Sequence, residues 1–75
     1  MTTKKSKAAP AIERQVGGMH YKDMPIQPVE YCYHNEIPAL EASVIKYVTR
    51  HKLKNGKVDL EKAIHCLQLL IELEY

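Results

Sequence analysis

Residues Lys46 to Lys62 read KYVTRHKLKNGKVDLEK, and the fold turns on this stretch. It holds six of the seven Lys and Arg residues beyond residue 15 (Lys46, Arg50, Lys52, Lys54, Lys57 and Lys62) and only two acids, Asp59 and Glu61. Asn55-Gly56 in its middle is turn chemistry, because glycine adopts the left-handed backbone that ends helices. The stretch therefore reads as the end of one helix, a tight turn, and the start of the next. On a helix continuing to Lys54, the residues Lys46, Arg50 and Lys54 fall at i, i+4 and i+8 and share one face. Like charges stacked in this way repel unless an anion lies against them. A phosphate-bearing ligand is the first expectation, and a plain solvated helix face is the competing one.

Working outward, Pro38 opens the helix that ends in this turn, over roughly residues 38–54. Its apolar side is Leu40, Val44, Tyr47, Val48 and His51, at spacings of three and four. Upstream, Pro28 suits the first position of a short helix running to about Glu36, with Val29, Cys32, Tyr33 and Ile37 as its buried face. Downstream, a third helix runs from about Val58 to the C-terminus, with Asp59 and Glu61 at its positive end. Leu60, Ala63, Ile64, Leu67, Leu70 and Ile71 form the stripe expected to pack on the second helix. Cys66, Leu69 and Leu73 extend that stripe past what one neighbour covers, so this added face is expected to meet another copy of the chain. The fold class is all-α: a small helical hairpin of two longer helices, preceded by a short helix and a loop, and homo-oligomeric.

The chain is 75 residues, enough for one small domain with a marginal core. The formal charge of +2 divides unevenly: residues 1–15 carry +3 and the remainder −1. Residues 1–15 read as a disordered basic tail and 16–75 as a single helical domain. Because the domain itself is not basic, a nucleic-acid partner is not expected. Two cysteines, Cys32 and Cys66, form no disulfide framework and suit a reducing cytoplasm. No apolar run is long enough to span a membrane, so no membrane partner is expected. Residues 16–28, VGGMHYKDMPIQP, read as an ordered loop presenting His20, Tyr21 and Lys22 just after Gly17-Gly18. An imidazole, a phenol ring and an ammonium together can stack on a base and touch a phosphate; the competing reading is that Tyr21 and Met24 simply cap a small core.

Other chemistries find little support. Cys32, His34, His51, His65 and Cys66 match no metal spacing, and no metal cofactor is expected. Ser43 and Thr49 have no paired base. Asp59, the acid among the cations, is expected to hold Lys54 or Lys62 in place, or to accept from a sugar hydroxyl. A helical DNA-binding or interaction module is a third reading, but Glu61, Glu72 and Glu74 on the exterior of the last helix suit a recognition helix poorly.

Residues 16–31, VGGMHYKDMPIQPVEY, and 45–72, IKYVTRHKLKNGKVDLEKAIHCLQLLIE, carry the paired patterns GGxHYK and KYxxRxKxKxGxxDLxKA. In these the chain resembles a family of small tailed-phage proteins typified by a nucleotide kinase that lacks the P-loop. The resemblance spans nearly all of residues 16–73. It departs where the family has Gly-Asn before the Ile-Lys-Tyr (here within Ala42, Ser43 and Val44), an acid before the Asp-Leu (here Val58), and Tyr after the His of the last helix (here Cys66). It implies an oligomeric helical protein, in the cytoplasm of an infected bacterium, that binds nucleotides. Lys46, Arg50, Lys54 and Lys62 would hold phosphates, Tyr21 would stack on the base and His20 would donate to the ligand. Sequestration of a nucleotide immune signal is the expected outcome. Nucleoside monophosphate kinase activity, with magnesium and Asp59 as the catalytic acid, is the alternative.

Overall fold

A computed structural model describes residues 23–75. They form three α-helices in the order α1 (Pro28–His34), α2 (Ala39–Arg50) and α3 (Lys57–Glu74). A single 3-10 turn, His51–Leu53, follows α2. No strand occurs among the described residues, so the all-α expectation holds for them. The 1–15 tail and most of the 16–27 loop lie outside the described residues.

Pro28 occupies the first helical position of α1, where its missing N–H costs nothing. Gln27 is the cap residue, and its backbone N–H donates to Glu30 Oε1 at 2.8 Å. The other end of α1 closes in a Schellman turn: Ile37 N–H donates to Cys32 O at 2.9 Å and Glu36 N–H to Tyr33 O at 3.2 Å. The left-handed residue in that turn is Glu36, with φ 54°, where glycine is usual. Pro38 then caps α2, since it can neither extend α1 nor donate within it.

α2 packs along α3, and α1 lies against α2. The buried residues are few: Pro28, Gln27, Asp59, Ala63 and Cys66 among those described. Several expected faces differ from this arrangement. Val29 and Tyr33 of α1 are exposed, because the short helix meets α2 through Pro28 and Cys32. Ile64, Leu67 and Ile71 of α3 are also exposed, while Ala63 and Cys66 are buried. The sector of α3 turned to α2 is therefore centred on Asp59, Ala63 and Cys66. The stripe Leu60, Ile64, Leu67 and Ile71 lies about 100° further round, one residue's rotation on a helix. Cys66, expected on the oligomer face, is instead 9 % exposed within the hairpin. Leu69 is half-buried, and Leu73 stays open to solvent.

Candidate functional site

The turn between α2 and α3 is built on Asp59. Its side chain is fully buried, and Arg50 reaches it with both ends of one edge of the guanidinium. Arg50 Nε donates to Oδ2 and Nη2 to Oδ1, each at 3.2 Å. Asn55 adds its backbone N–H to Oδ2 at 3.3 Å and its amide Nδ2 to Oδ1 at 3.4 Å. Asp59 is the third residue of α3, where an acid ordinarily returns to the N–H of the cap residue. Here the cap is Gly56, whose N–H donates instead to His51 O at 2.7 Å. Asp59 reaches one residue further back, to Asn55, so one carboxylate ties the helix start, the turn and α2 together. The Arg50 hydrogen bond is the largest influence holding its carboxyl below the ordinary 3.8, and it outweighs the opposing effect of burial.

Beside this corner, three cations converge on one ring. Arg50 Cζ lies 4.9 Å from the Tyr47 centroid, Lys46 Nζ 5.2 Å and Lys62 Nζ 5.6 Å, all within cation–π range. The quadrupole of the ring and the Asp59 charge offset part of their mutual repulsion. Lys46 and Lys62 are exposed. An open groove of about 460 Å³ runs along this flank, lined by Tyr47, Val58, Glu61, Lys62, His65 and Cys66. On the other side of Lys46, a narrower cleft of about 210 Å³ separates α1 from α2. Among the described residues no three metal-ligating side chains come together.

Of the sequence-predicted site residues, the structure brings Lys46, Arg50, Asp59 and Lys62 together. Lys54 is not in their row. α2 stops at Arg50, and the 3-10 turn, followed by Lys54 at φ −137° and ψ −93°, breaks the expected i, i+4, i+8 alignment. Lys62 from α3 takes the third place in the cluster instead. The partner of Asp59 is Arg50 rather than Lys54 or Lys62, and the Arg50 fork expected on phosphate is spent largely on that carboxylate. His20 and Tyr21 lie outside the described residues. Helical periodicity assigns Tyr47 only an apolar role, and His65 enters the sequence reading only among residues that match no metal spacing. The signal for Tyr47 was present, since Lys46 adjoins it and Arg50 lies three residues on, but Lys62 joins only across the turn.

No curated protein and no solved structure matches the chain. A family model described as "Protein of unknown function (DUF3310)" matches residues 16–68. That span takes in α1, α2, the Asp59 corner, the Tyr47 cluster and most of α3, and the chain belongs to this DUF3310 family.

Proposed function

We propose that the protein binds a phosphorylated nucleotide at the Tyr47 cluster and holds it unchanged, acting in an infected bacterium as an anti-defence sponge for a nucleotide immune signal. The observation that carries this reading is the convergence of Lys46, Arg50 and Lys62 on one ring, with Arg50 anchored by Asp59. The anchor fixes Arg50 in place before any ligand arrives, so that side chain needs little further ordering on binding. Lys46 and Lys62 contribute the open charge that receives the phosphates. His20 and Tyr21 belong to this reading as a donor and a stacking ring. Sequestration asks only for affinity, whereas phosphoryl transfer asks for a group that orients the acceptor. Asp59, the acid the kinase alternative would use, is fully buried with both oxygens engaged.

The site is further proposed to sit in a self-associating protein. Leu60, Ile64, Leu67 and Ile71 recur at four, three and four residues, the spacing of a coiled-coil seam. A second copy packed on this seam would cover Ile64, Leu67 and Ile71, which are exposed among the described residues. Wild-type protein that sediments as a monomer at micromolar concentration would overturn this.

The test is incubation with a panel of nucleoside mono-, di- and triphosphates and cyclic nucleotides. The expected result is depletion of at least one nucleotide, which returns chemically intact after heat denaturation. Lys46→Ala and Lys62→Ala should each weaken binding by about tenfold or more, the worth of a charge-assisted contact. Conversion of a monophosphate to a diphosphate with a triphosphate donor would replace this reading with the kinase one. Failure to retain any nucleotide would defeat both.

A further inference from the structure

The Tyr47 cluster has room for phosphates but no obvious seat for a base, because three cations already crowd the ring that would stack on it. Lys46 also lines the neighbouring cleft, together with Pro28, Val29 and Cys32 on the α1 side and Ala42 and Ser43 of α2. The walls of that cleft are almost wholly apolar. At about 210 Å³ it is smaller than the ~300–1,000 Å³ sites that bury a whole drug-sized ligand. It suits one flat heteroaromatic ring system entering edge-on. Lys46 is shared between the two: it lines the cleft, and its ammonium lies 5.2 Å from the Tyr47 centroid. A long cationic side chain divides in this way between apolar packing and charge.

We infer that the α1–α2 cleft seats the nucleobase of a nucleoside 5′-phosphate whose phosphates cross Lys46 to the Tyr47 cluster. The inference rests on the nucleotide-binding reading and adds to it where the uncharged end of the ligand goes. Ser43, which lines the cleft, supplies the hydroxyl that bonds a base edge or sugar. Affinity then has two separable parts. The cations bind any polyphosphate, and the cleft makes a nucleotide bind better than a bare polyphosphate does.

The experiment measures the affinity of the full chain for the four ribonucleoside 5′-triphosphates and for inorganic tripolyphosphate, by calorimetry. Wild type is expected to prefer at least one nucleotide by about tenfold, ~1.4 kcal/mol. Ala42→Leu, which fills the cleft, should abolish that preference while tripolyphosphate binding stays within a factor of about two. A second readout needs no variant: the preferred nucleotide, but not tripolyphosphate, should slow alkylation of Cys32 by iodoacetamide. Should the nucleotide leave Cys32 alkylation unchanged, or Ala42→Leu keep the full preference, the cleft assignment is overturned while the cationic site stands. If wild type binds neither tripolyphosphate nor any nucleotide, the underlying reading falls and takes the cleft with it.

Discussion

At its turn end, the α2–α3 hairpin is held by directed polar contacts; along the outer flank of α3 it presents apolar side chains that the other described residues do not cover. The turn end places a carboxylate, a guanidinium and an amide in one fixed geometry, three of its four contacts coming from side chains. The α3 flank has Ile64, Leu67 and Ile71 in the open, and only Ala63 and Cys66 as buried apolar residues of the described hairpin. Non-directional burial tolerates many arrangements, whereas a buried ion pair tolerates few. The polar corner therefore sets how the two helices meet, while Ile64, Leu67 and Ile71 of α3 remain exposed beside it.

The largest effect should come from the corner. Asp59→Ala leaves the Arg50 guanidinium without its buried carboxylate and frees the Asn55 turn, so it should lower the thermal midpoint more than any other single substitution in the hairpin. Arg50→Ala should act in the same direction, because it strands the buried carboxylate. It therefore makes a poor binding variant, and calorimetric unfolding must accompany any affinity measured on it. Acid titration sharpens the same point. The carboxyl of Asp59 sits below its ordinary 3.8 in the fold, so the stability it contributes is fully present above that value. It should drain away as the pH falls below 3.8 toward the folded pKa, and circular dichroism in that window reads the loss. Asp59→Asn should flatten this acid limb.

Next comes the apolar flank. Leu67→Glu puts a charge in the proposed seam, where desolvating it costs several kcal/mol. Sedimentation should show smaller particles, with the helix content of each chain retained because Leu67 is exposed in the single chain. A variant that keeps the wild-type mass would show the flank to be ordinary surface. Cys66→Ser should instead destabilise the hairpin by about 1–3 kcal/mol, the cost of a buried hydroxyl without a partner, and leave association intact.

Smaller effects separate the two turns. Gly56 has φ 56° and ψ −126°, a region nearly closed to other residues, and an added Cβ would meet nothing within 4 Å. Gly56→Ala should therefore cost about 1–3 kcal/mol through backbone strain alone. Glu36 sits in the left-handed region without being glycine, so Glu36→Gly should stabilise by roughly 0.5–1 kcal/mol in urea unfolding.

Punctuation was the legible part of this sequence. Pro28, Pro38 and Asn55-Gly56 mark helix limits by steric rules that act locally, and the three helices lie within a few residues of those marks. Facing was much less legible. The arc of apolar residues on α3 could be read, but the sector taken by α2 depends on a turn that a periodicity count does not contain. Cys66 and Ile64 exchanged their expected surroundings for that reason. The early end of α2 had no warning either, because Lys52, Leu53 and Lys54 are all acceptable helix residues. It is enforced by the Asp59 bonds to Arg50 and Asn55, which exist only once the chain has folded back. Asp59 and Arg50 were each singled out, yet nine positions apart their pairing leaves no periodic trace.

The same turn also bears on how the molecule ages. Asn-Gly is the dipeptide most prone to spontaneous deamidation, in which the glycine nitrogen attacks the asparagine side-chain carbonyl and ammonia leaves. Here Gly56 N–H is held by His51 O at 2.7 Å, and the Asn55 amide donates to Asp59 Oδ1 at 3.4 Å. Both reacting groups are turned to other work while the hairpin is closed. Once it opens, the restraint is gone; water then hydrolyses the succinimide that this attack forms, and the product would set a new carboxylate beside Asp59, opposing closure. Each excursion to the open state thus exposes the chain to a chemical change that hinders its return.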